Sequence, residues 1–443
     1  MTQSAAVPFE TLDTPAIARA LSQLAEKPGD WADLFLERTE EIRSPAEGKP
    51  PGVQTRREEG LAVRLVRAGE SWLAARDAIT PKLFSEALRQ VARALPAAAY
   101  PEPRMALGPW PGSPDAPELA AFSPEVHRAL REKHVAFPAK ISVTRHSRWL
   151  QVIGTRWSSG TEYEHFYSCT VEMPWGRFGT LLPSLEEAEV ETVASHLLDY
   201  FRARQALPPE PVTGLAVLGP AAAAVLLHEA VAHALEADTL ALGGSPAAAL
   251  GVRLGAPGLH VLDDPSSAPA GIKRVTDDEG LAVCRRWLLR DGIVEQPLAD
   301  MVWSQSSPEL LPGAARRSNR HWPPAPRSSH LEVLGGPLDQ EQLLAGGDGL
   351  FLSQAERGRL DSLSGEFHLF FPFGRRIRSG ELAETVGPCR LEGRVGNLLE
   401  MIRGIGQQPQ VAGAGWCAKG GQKLPVWATT PSLRLEEARL LPC

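Results

Sequence analysis

The clearest pattern along the chain is a period-two alternation of apolar and polar residues in "LAVRLVRAGESWLAARD" (Leu61 to Asp77). It pauses at Ala68-Gly69 and then resumes, which predicts a β-hairpin turning on those two residues. Upstream, residues 13 to 42 space their charged and apolar positions as helices with polar faces. "PKLFSEALRQVARAL" (Pro81 to Leu95) has helical spacing, and "AAAYPEPRMALGPWPGSPDAPE" (Ala97 to Glu118), rich in Pro and Gly, reads as loop. Two strand runs follow, "AKISVTRHSRWLQVIGT" and "EHFYSCTVEM", then a helix over about Ser184 to Gln205. This half, residues 1–205, is expected to be a mixed α/β domain built on an antiparallel or mixed sheet.

"ALPPEP" (Ala206 to Pro211) interrupts the pattern and marks the expected boundary with a second domain, residues 206–443. That domain opens with a strand, "VTGLAVLG", and a long apolar helix, "PAAAAVLLHEAVAHALEAD", with Pro220 suited to its first turn. Short strands with Gly, Pro and Asp turns fill the remainder: "LHVLDD", "AVCRRWLLRDGIV", "SSHLEVLGG", "GLFLSQ", "EFHLFF", "CRLEGRV", "LPVWATT" and "SLRLEEARLL". Their even spacing predicts a barrel-like, mostly antiparallel β domain carrying one long helix. The fold class is therefore α+β, with no internal repeat and no low-complexity tract.

Composition narrows the function. The chain has 443 residues, 43% of them hydrophobic. That is enough for two or three globular cores. A formal charge of −7 argues against nucleic-acid binding and leaves room for an acidic cleft that attracts a cation. The five cysteines are scattered singly, without C-x-x-C, which suits a reducing cytoplasm better than a disulfide scaffold. The N-terminus lacks the basic and apolar regions of a secretion signal. The most apolar stretch, Val212 to Leu227, is too short to span a bilayer.

That stretch ends in "LLHEAVAHALEAD" (Leu226 to Asp238). Zinc peptidases of the H-E-x-x-H type place two histidines four apart on one helical face. Here His228 and His233 are five apart, about 140° on a regular α-helix. A single π-turn absorbs the extra residue and restores one face, and such turns concentrate at functional sites. The plain alternative is a packed helix with two ordinary histidines. Against it, His228, Glu229, His233, Glu236 and Asp238 crowd together after an apolar run, and burying so many ionisable groups without compensation is costly.

A third ligand is sought in "VAGAGWCAKGGQKLPV" (Val411 to Val426), where Cys417 sits among glycines that let the backbone approach another element. Two histidines and a thiolate with one open position suit a catalytic zinc, although iron, cobalt or manganese could fill such a site. The competing reading makes Cys417 a small apolar filler.

"HEAVAHALE" followed by "CAKGGQKLPV" resembles the TldD/PmbA family, whose members show H-E-x-x-G-H-x-L-E and C-G-K-x-G-Q with a V-P-V near the end. "LDDPSSAPAG", "DDEG", "GAARRSNRHWPPAPRSSHLEVLGG", "GLFLSQAERGRLDSLSGEFHLFF" and the first hairpin agree, so the resemblance covers most of the chain. It implies a zinc metallopeptidase of the TldD type: metal held by His228, His233 and Cys417, water activated by Glu229, and unfolded or partly unfolded peptide bound as an added strand. It also implies a dimer, either homodimeric or with a PmbA/TldE-like subunit. Two departures stand out: Ala232 and Ala418 replace family glycines.

Other residues are candidates with plainer alternatives. Glu236 and Asp238 could orient a histidine, with solvated helix surface the expectation for Asp238. Arg316 and Arg317, in "ARRSNR", could bind a peptide carboxylate or an oxyanion, or belong to a solvated loop. Asp277-Asp278-Glu279 reads as a tight acidic turn or a cation site. The functional alternative to a peptidase is a catalytically silent partner subunit of a TldD/PmbA-type heterodimer. Regulation of a DNA enzyme finds no support in the acidic composition.

Overall fold

The structure is a computed structural model that describes residues 9, 11–44, 53–92, 103–110, 116–135, 138–156, 160–174, 176–243, 249–361 and 364–443. The predicted hairpin forms from strands Gln54–Arg67 and Glu70–Arg76. Ala68 and Gly69 both take positive φ. That is the conformation a two-residue turn needs to match strand twist. This hairpin edges a six-stranded antiparallel sheet in the order Glu70–Arg76, Gln54–Arg67, Trp31–Arg43, Lys140–Gly154, Gly160–Met173, Gly176–Leu182.

Helix α1 (Thr14–Leu24) is capped by Asp13, which accepts from Ala16 N, and α2 (Pro81–Val91) by Thr80, which accepts from Leu83 N. Their apolar stripes, Ile17, Leu21 and Leu24 with Phe84 and Leu88, cover Leu34, Leu36 and Val63 of the sheet. Helices α3 (Pro117–Glu132) and α4 (Glu187–Ala203) cover Ile141, Val143 and Val171 on the same sheet. The expected loop at Ala97 to Glu118 falls partly outside the described residues, and within it Pro117 and Glu118 already belong to α3.

The helical expectation for residues 13 to 42 holds only to Leu24; residues 31–43 form a central strand, buried over most of its length. Leu34 and Leu36 face the helices, while Asp33 and Glu37, fully buried, point to the opposite face. Their charges suggested a solvated helix. In the folded chain arginines from neighbouring strands and from the C-terminal half neutralise them.

Beyond α4 the next strand begins at Val212, and no described sheet mixes strands from the two halves. The C-terminal half builds two sheets. One has nine strands, with Val212–Leu218 between Leu433–Pro442 and Gly349–Leu352. The other has six, ending in His330–Val333, Gln422–Thr430 and Gln410–Lys419. All but two strand pairings in these sheets are antiparallel; Gly349–Leu352 runs parallel to Val212–Leu218 and His330–Val333 parallel to Gln422–Thr430. Helix α5 (Pro220–Leu227), apolar all round, lies between the sheets and packs against strands of both.

One long α-helix was expected here. Instead α5 stops at Leu227, a π-helical turn spans His228–Ala232, a 3₁₀ turn spans His233–Leu235, and Glu236 is extended. Strand Gln410–Lys419 was not legible as a strand, because its glycines and alanines have low β propensity. It forms because Gly420 and Gly421, both at positive φ, make the tight turn that returns the chain as Gln422–Thr430.

Candidate metal centre

The π-turn is closed by the backbone N–H of His233 donating to the carbonyl of His228, five residues back. The extra residue per turn brings both imidazoles to one side, with ring centroids 4.5 Å apart. From the other sheet, strand Gln410–Lys419 lies against α5 and delivers Cys417. One donor atom from each of His228, His233 and Cys417 lies within 4.8 Å of the other two, the only such group of metal-binding residues among those described. Cys417 Sγ is 3.3 Å from His233 Nε2. Donors on a tetrahedral zinc, at the usual bond lengths, stand about 3.3–3.6 Å apart.

His233 is oriented from behind. Its Nδ1 lies 3.0 Å from Glu236 Oε2, a carboxylate that only accepts, so the proton sits on Nδ1 and Nε2 turns to Cys417. The break after Leu235 makes this possible, because extended Glu236 bridges to Leu298 and folds its side chain back. Lys419 donates to Glu236 and Thr239, and bonds Asp238 at 3.0 Å. Arg327 lies 3.6 Å from Glu236 and 3.0 Å from Asp238. Burial works to raise the Glu236 carboxyl, but His233, Arg327 and Lys419 outweigh it and hold it at about 2. Asp238 is thus ion-paired rather than solvated helix surface.

His228 differs. It is buried, and neither ring nitrogen has a hydrogen-bond partner. Burial, His233 and the guanidinium groups of Arg316 and Arg327 push it well below its ordinary value, leaving a neutral imidazole with a free lone pair. A buried imidazole without a partner costs on the order of 1–3 kcal/mol. Coordination to a cation is the ordinary way to satisfy it, so the donor set fits a metal.

Glu229 is half-buried beside this pair. A Cβ on Gly358 would collide with its Cγ, so only glycine lets strand Arg357–Leu360 lie against the Glu229 side chain. Burial raises the Glu229 carboxyl above its ordinary value, and His233 acts against that shift.

Ala232 and Ala418 adopt ordinary backbone. Ala232 has φ −61° and ψ −54°, and Ala418 is not among the described residues with positive φ. Neither position requires glycine here.

The remaining candidates lie elsewhere. Arg316 and Arg317 are buried, not in a solvated loop. Arg316 donates to the carbonyls of Ser328 and Pro425, and Arg317 to the carbonyl of Asp278. Asp277 to Gly280 forms the expected turn, with Asp277 Oδ1 accepting from Glu279 N and Leu281 N. Its acids are buried: Asp277 accepts only backbone N–H groups, while Asp278 pairs with Arg274 and Glu279 with Arg64.

A family profile described as "PmbA/TldA metallopeptidase C-terminal domain" matches residues 213–441, just over half of the chain. A metalloprotease of Methanothermobacter thermautotrophicus is 29% identical over 239 residues, 54% of this chain and 52% of that protein. A metalloprotease TldD homolog of Haemophilus influenzae is 27% identical over 224 residues, 50% of this chain and 46% of that protein. The chain thus spans about half the length of the curated relatives it matches. The crystal structure of TldE from Thermococcus kodakarensis superposes with a TM-score of 0.74 at 16% identity, covering 96% of this chain and 100% of that one, which establishes a shared fold.

Proposed function

The chain belongs to the TldD/PmbA metallopeptidase family, and from that premise we propose that it is a zinc-dependent peptidase acting on unfolded or partly unfolded peptides. The observation that carries the reading is His228, buried with both nitrogens unpartnered, beside His233 and Cys417. These three residues would hold the ion, which when bound supplies Lewis acidity to a water and to the scissile carbonyl.

The chain's own groups do the rest. Glu236 holds the proton on His233 Nδ1 and so keeps Nε2 free as a donor. Glu229, its carboxyl raised by burial, takes the proton of the attacking water and passes it to the leaving amine nitrogen. Strand Gln410–Lys419 ends its sheet, and an extended substrate adding to a sheet edge is read mainly through its main chain, which favours broad specificity. The expected assembly is a dimer, with a second copy or with a PmbA/TldE-like subunit. Among the described residues no helix is long and apolar enough to cross a membrane. The singly scattered cysteines, without C-x-x-C, favour a reducing cytoplasm as its setting.

Replacing Glu229 tests the reading. Glu229→Ala is expected to keep its metal and to lose cleavage of casein by about a hundredfold or more. Full activity in a metal-loaded Glu229→Ala chain would remove the proposed base. A wild-type chain that binds metal and cleaves nothing, alone or with a TldE-like partner, would favour the silent-subunit reading instead.

A further inference from the structure

Outside the proposed set of metal ligands, three side chains on three neighbouring strands of the N-terminal sheet stand in line. Antiparallel register sets Glu41 opposite His146 and His146 opposite Phe166, and Ser168 follows two residues on, on the same face. His146 Nδ1 is 3.2 Å from Glu41 Oε1, and His146 Nε2 is 2.8 Å from Ser168 Oγ. The Glu41 carboxylate only accepts, so the proton sits on Nδ1 and the Nε2 lone pair faces the serine hydroxyl. The ring is held in place by Phe166, stacked at 4.8 Å, and by Trp416, edge-on at 5.6 Å. All three side chains line a cavity of about 850 Å³, together with Arg177, Trp416 and Lys423.

A nucleophile, a base in hydrogen-bond reach of it, and a third group orienting the base are what covalent acyl transfer requires. We propose that Ser168, His146 and Glu41 form a second nucleophilic site, independent of the metal centre, that hydrolyses acyl esters. Ser168 Oγ bonds to the acyl carbon as its proton moves to His146 Nε2. The imidazolium returns that proton to the departing alkoxide as the ester C–O bond breaks. Water then attacks the acyl-serine, Nε2 takes its proton, and Ser168 recovers it as the carboxylic acid leaves. One ester and one water give one acid and one alcohol.

Esters are favoured over amides for a structural reason. Ser168 sits mid-strand between two paired neighbours, so oxyanion stabilisation falls to the cationic side chains of Arg177 and Lys423 rather than to paired backbone amides. Lys423 is itself steadied over the Trp416 ring at 4.8 Å. Glu41 is a positioning residue here. Lys423 and Arg56 also bring their charges to bear on Glu41, and Arg177 and Glu356 line the same cavity.

The test is active-site labelling of the intact chain with a fluorophosphonate probe, with the modified peptide identified by mass spectrometry. The expected result is an adduct on Ser168 that persists in the presence of chelator, which separates this site from the metallopeptidase reading. Ser168→Ala abolishes it, and His146→Asn, checked as folded by its thermal transition, slows it by about a hundredfold. Glu41→Gln slows labelling less, because the ring loses the carboxylate that holds its proton on Nδ1, and Glu41→Asp, which keeps a carboxylate, restores most of the rate. Absence of a Ser168 adduct under conditions that modify a reference serine hydrolase would overturn the proposal. So would labelling of folded His146→Asn at the wild-type rate.

Discussion

The molecule buries two dense polar clusters, and they differ in how far protein atoms satisfy them. The seam between the halves is cross-paired. Arg64 meets Asp33 at 2.6 Å and Glu279 at 2.8 Å, Arg148 meets Glu37 at 2.9 Å, and Arg274 meets Asp278 and, at 3.1 Å, Glu164. Each of these cations finds a carboxylate from another strand or loop, and the seam atoms without a hydrogen bond, such as Arg317 Nε and Nη1, belong to groups that pair through another atom. In the candidate metal centre, Glu236 is paired through Oε2, yet His228 has no partner on either nitrogen. Buried charge by itself therefore does not mark a site in this chain. What marks it is a donor left unsatisfied next to donors that converge on the same point.

The comparison can be broken at either end. The largest effect belongs to the seam. Arg64→Ala leaves Asp33 and Glu279 buried without their cation and is expected to cost about 3–5 kcal/mol, read by denaturant unfolding. The metal content of the chains that remain folded should not change. Lys419→Met is the converse. It removes one cation from Glu236, loosens the tether on His233, and is expected to weaken metal affinity by about tenfold, with folding of the metal-free chain altered little. Competition with a chromogenic chelator measures it.

A smaller effect separates the acids of the seam from one another. Burial and the neighbouring Glu279 push Asp300 up to about 7, from an ordinary 3.8. The folded chain holds that proton more tightly than the unfolded one, so this contribution to stability is full below about pH 4 and lost as pH rises toward 7. Asp300→Asn keeps a side-chain acceptor for Trp303 N but cannot ionise. Relative to wild type it should gain on the order of 1 kcal/mol per pH unit between pH 4 and pH 7, read from melting temperatures across that range. A constant difference would assign Asp300 an ordinary value. Some slope should persist in the variant, because Asp277, pushed up to about 8 by burial and by the same Glu279, remains.

The sequence revealed the parts of this architecture that depend on local pattern. The hairpin at Ala68-Gly69, helices α2 and α4, and the short C-terminal strands carry their periodicity and turn residues within a few positions of each other. The five-residue spacing of His228 and His233 is likewise local, and its geometric consequence, a π-turn, can be worked out before any coordinates. What could not be read depends on partners far away in the chain. Asp33 and Glu37 imitate a solvated helix until Arg64, Arg148 and Arg320 are seen to face them. Arg316 and Arg317 resemble a surface loop, but carbonyls and carboxylates distant in sequence draw them inside. Asp238 looks exposed until Arg327 and Lys419 arrive. The alignment of Glu41, His146 and Ser168 exists only through strand register.

The central claim is that His228, His233 and Cys417 jointly grip one divalent cation. X-ray absorption at the metal edge of the purified, metal-loaded chain tests it most directly. The account predicts one sulfur scatterer at about 2.3 Å and two imidazole nitrogens at about 2.0 Å, with the sulfur shell lost in Cys417→Ser. A first shell without sulfur, or a spectrum unchanged by that substitution, would contradict it.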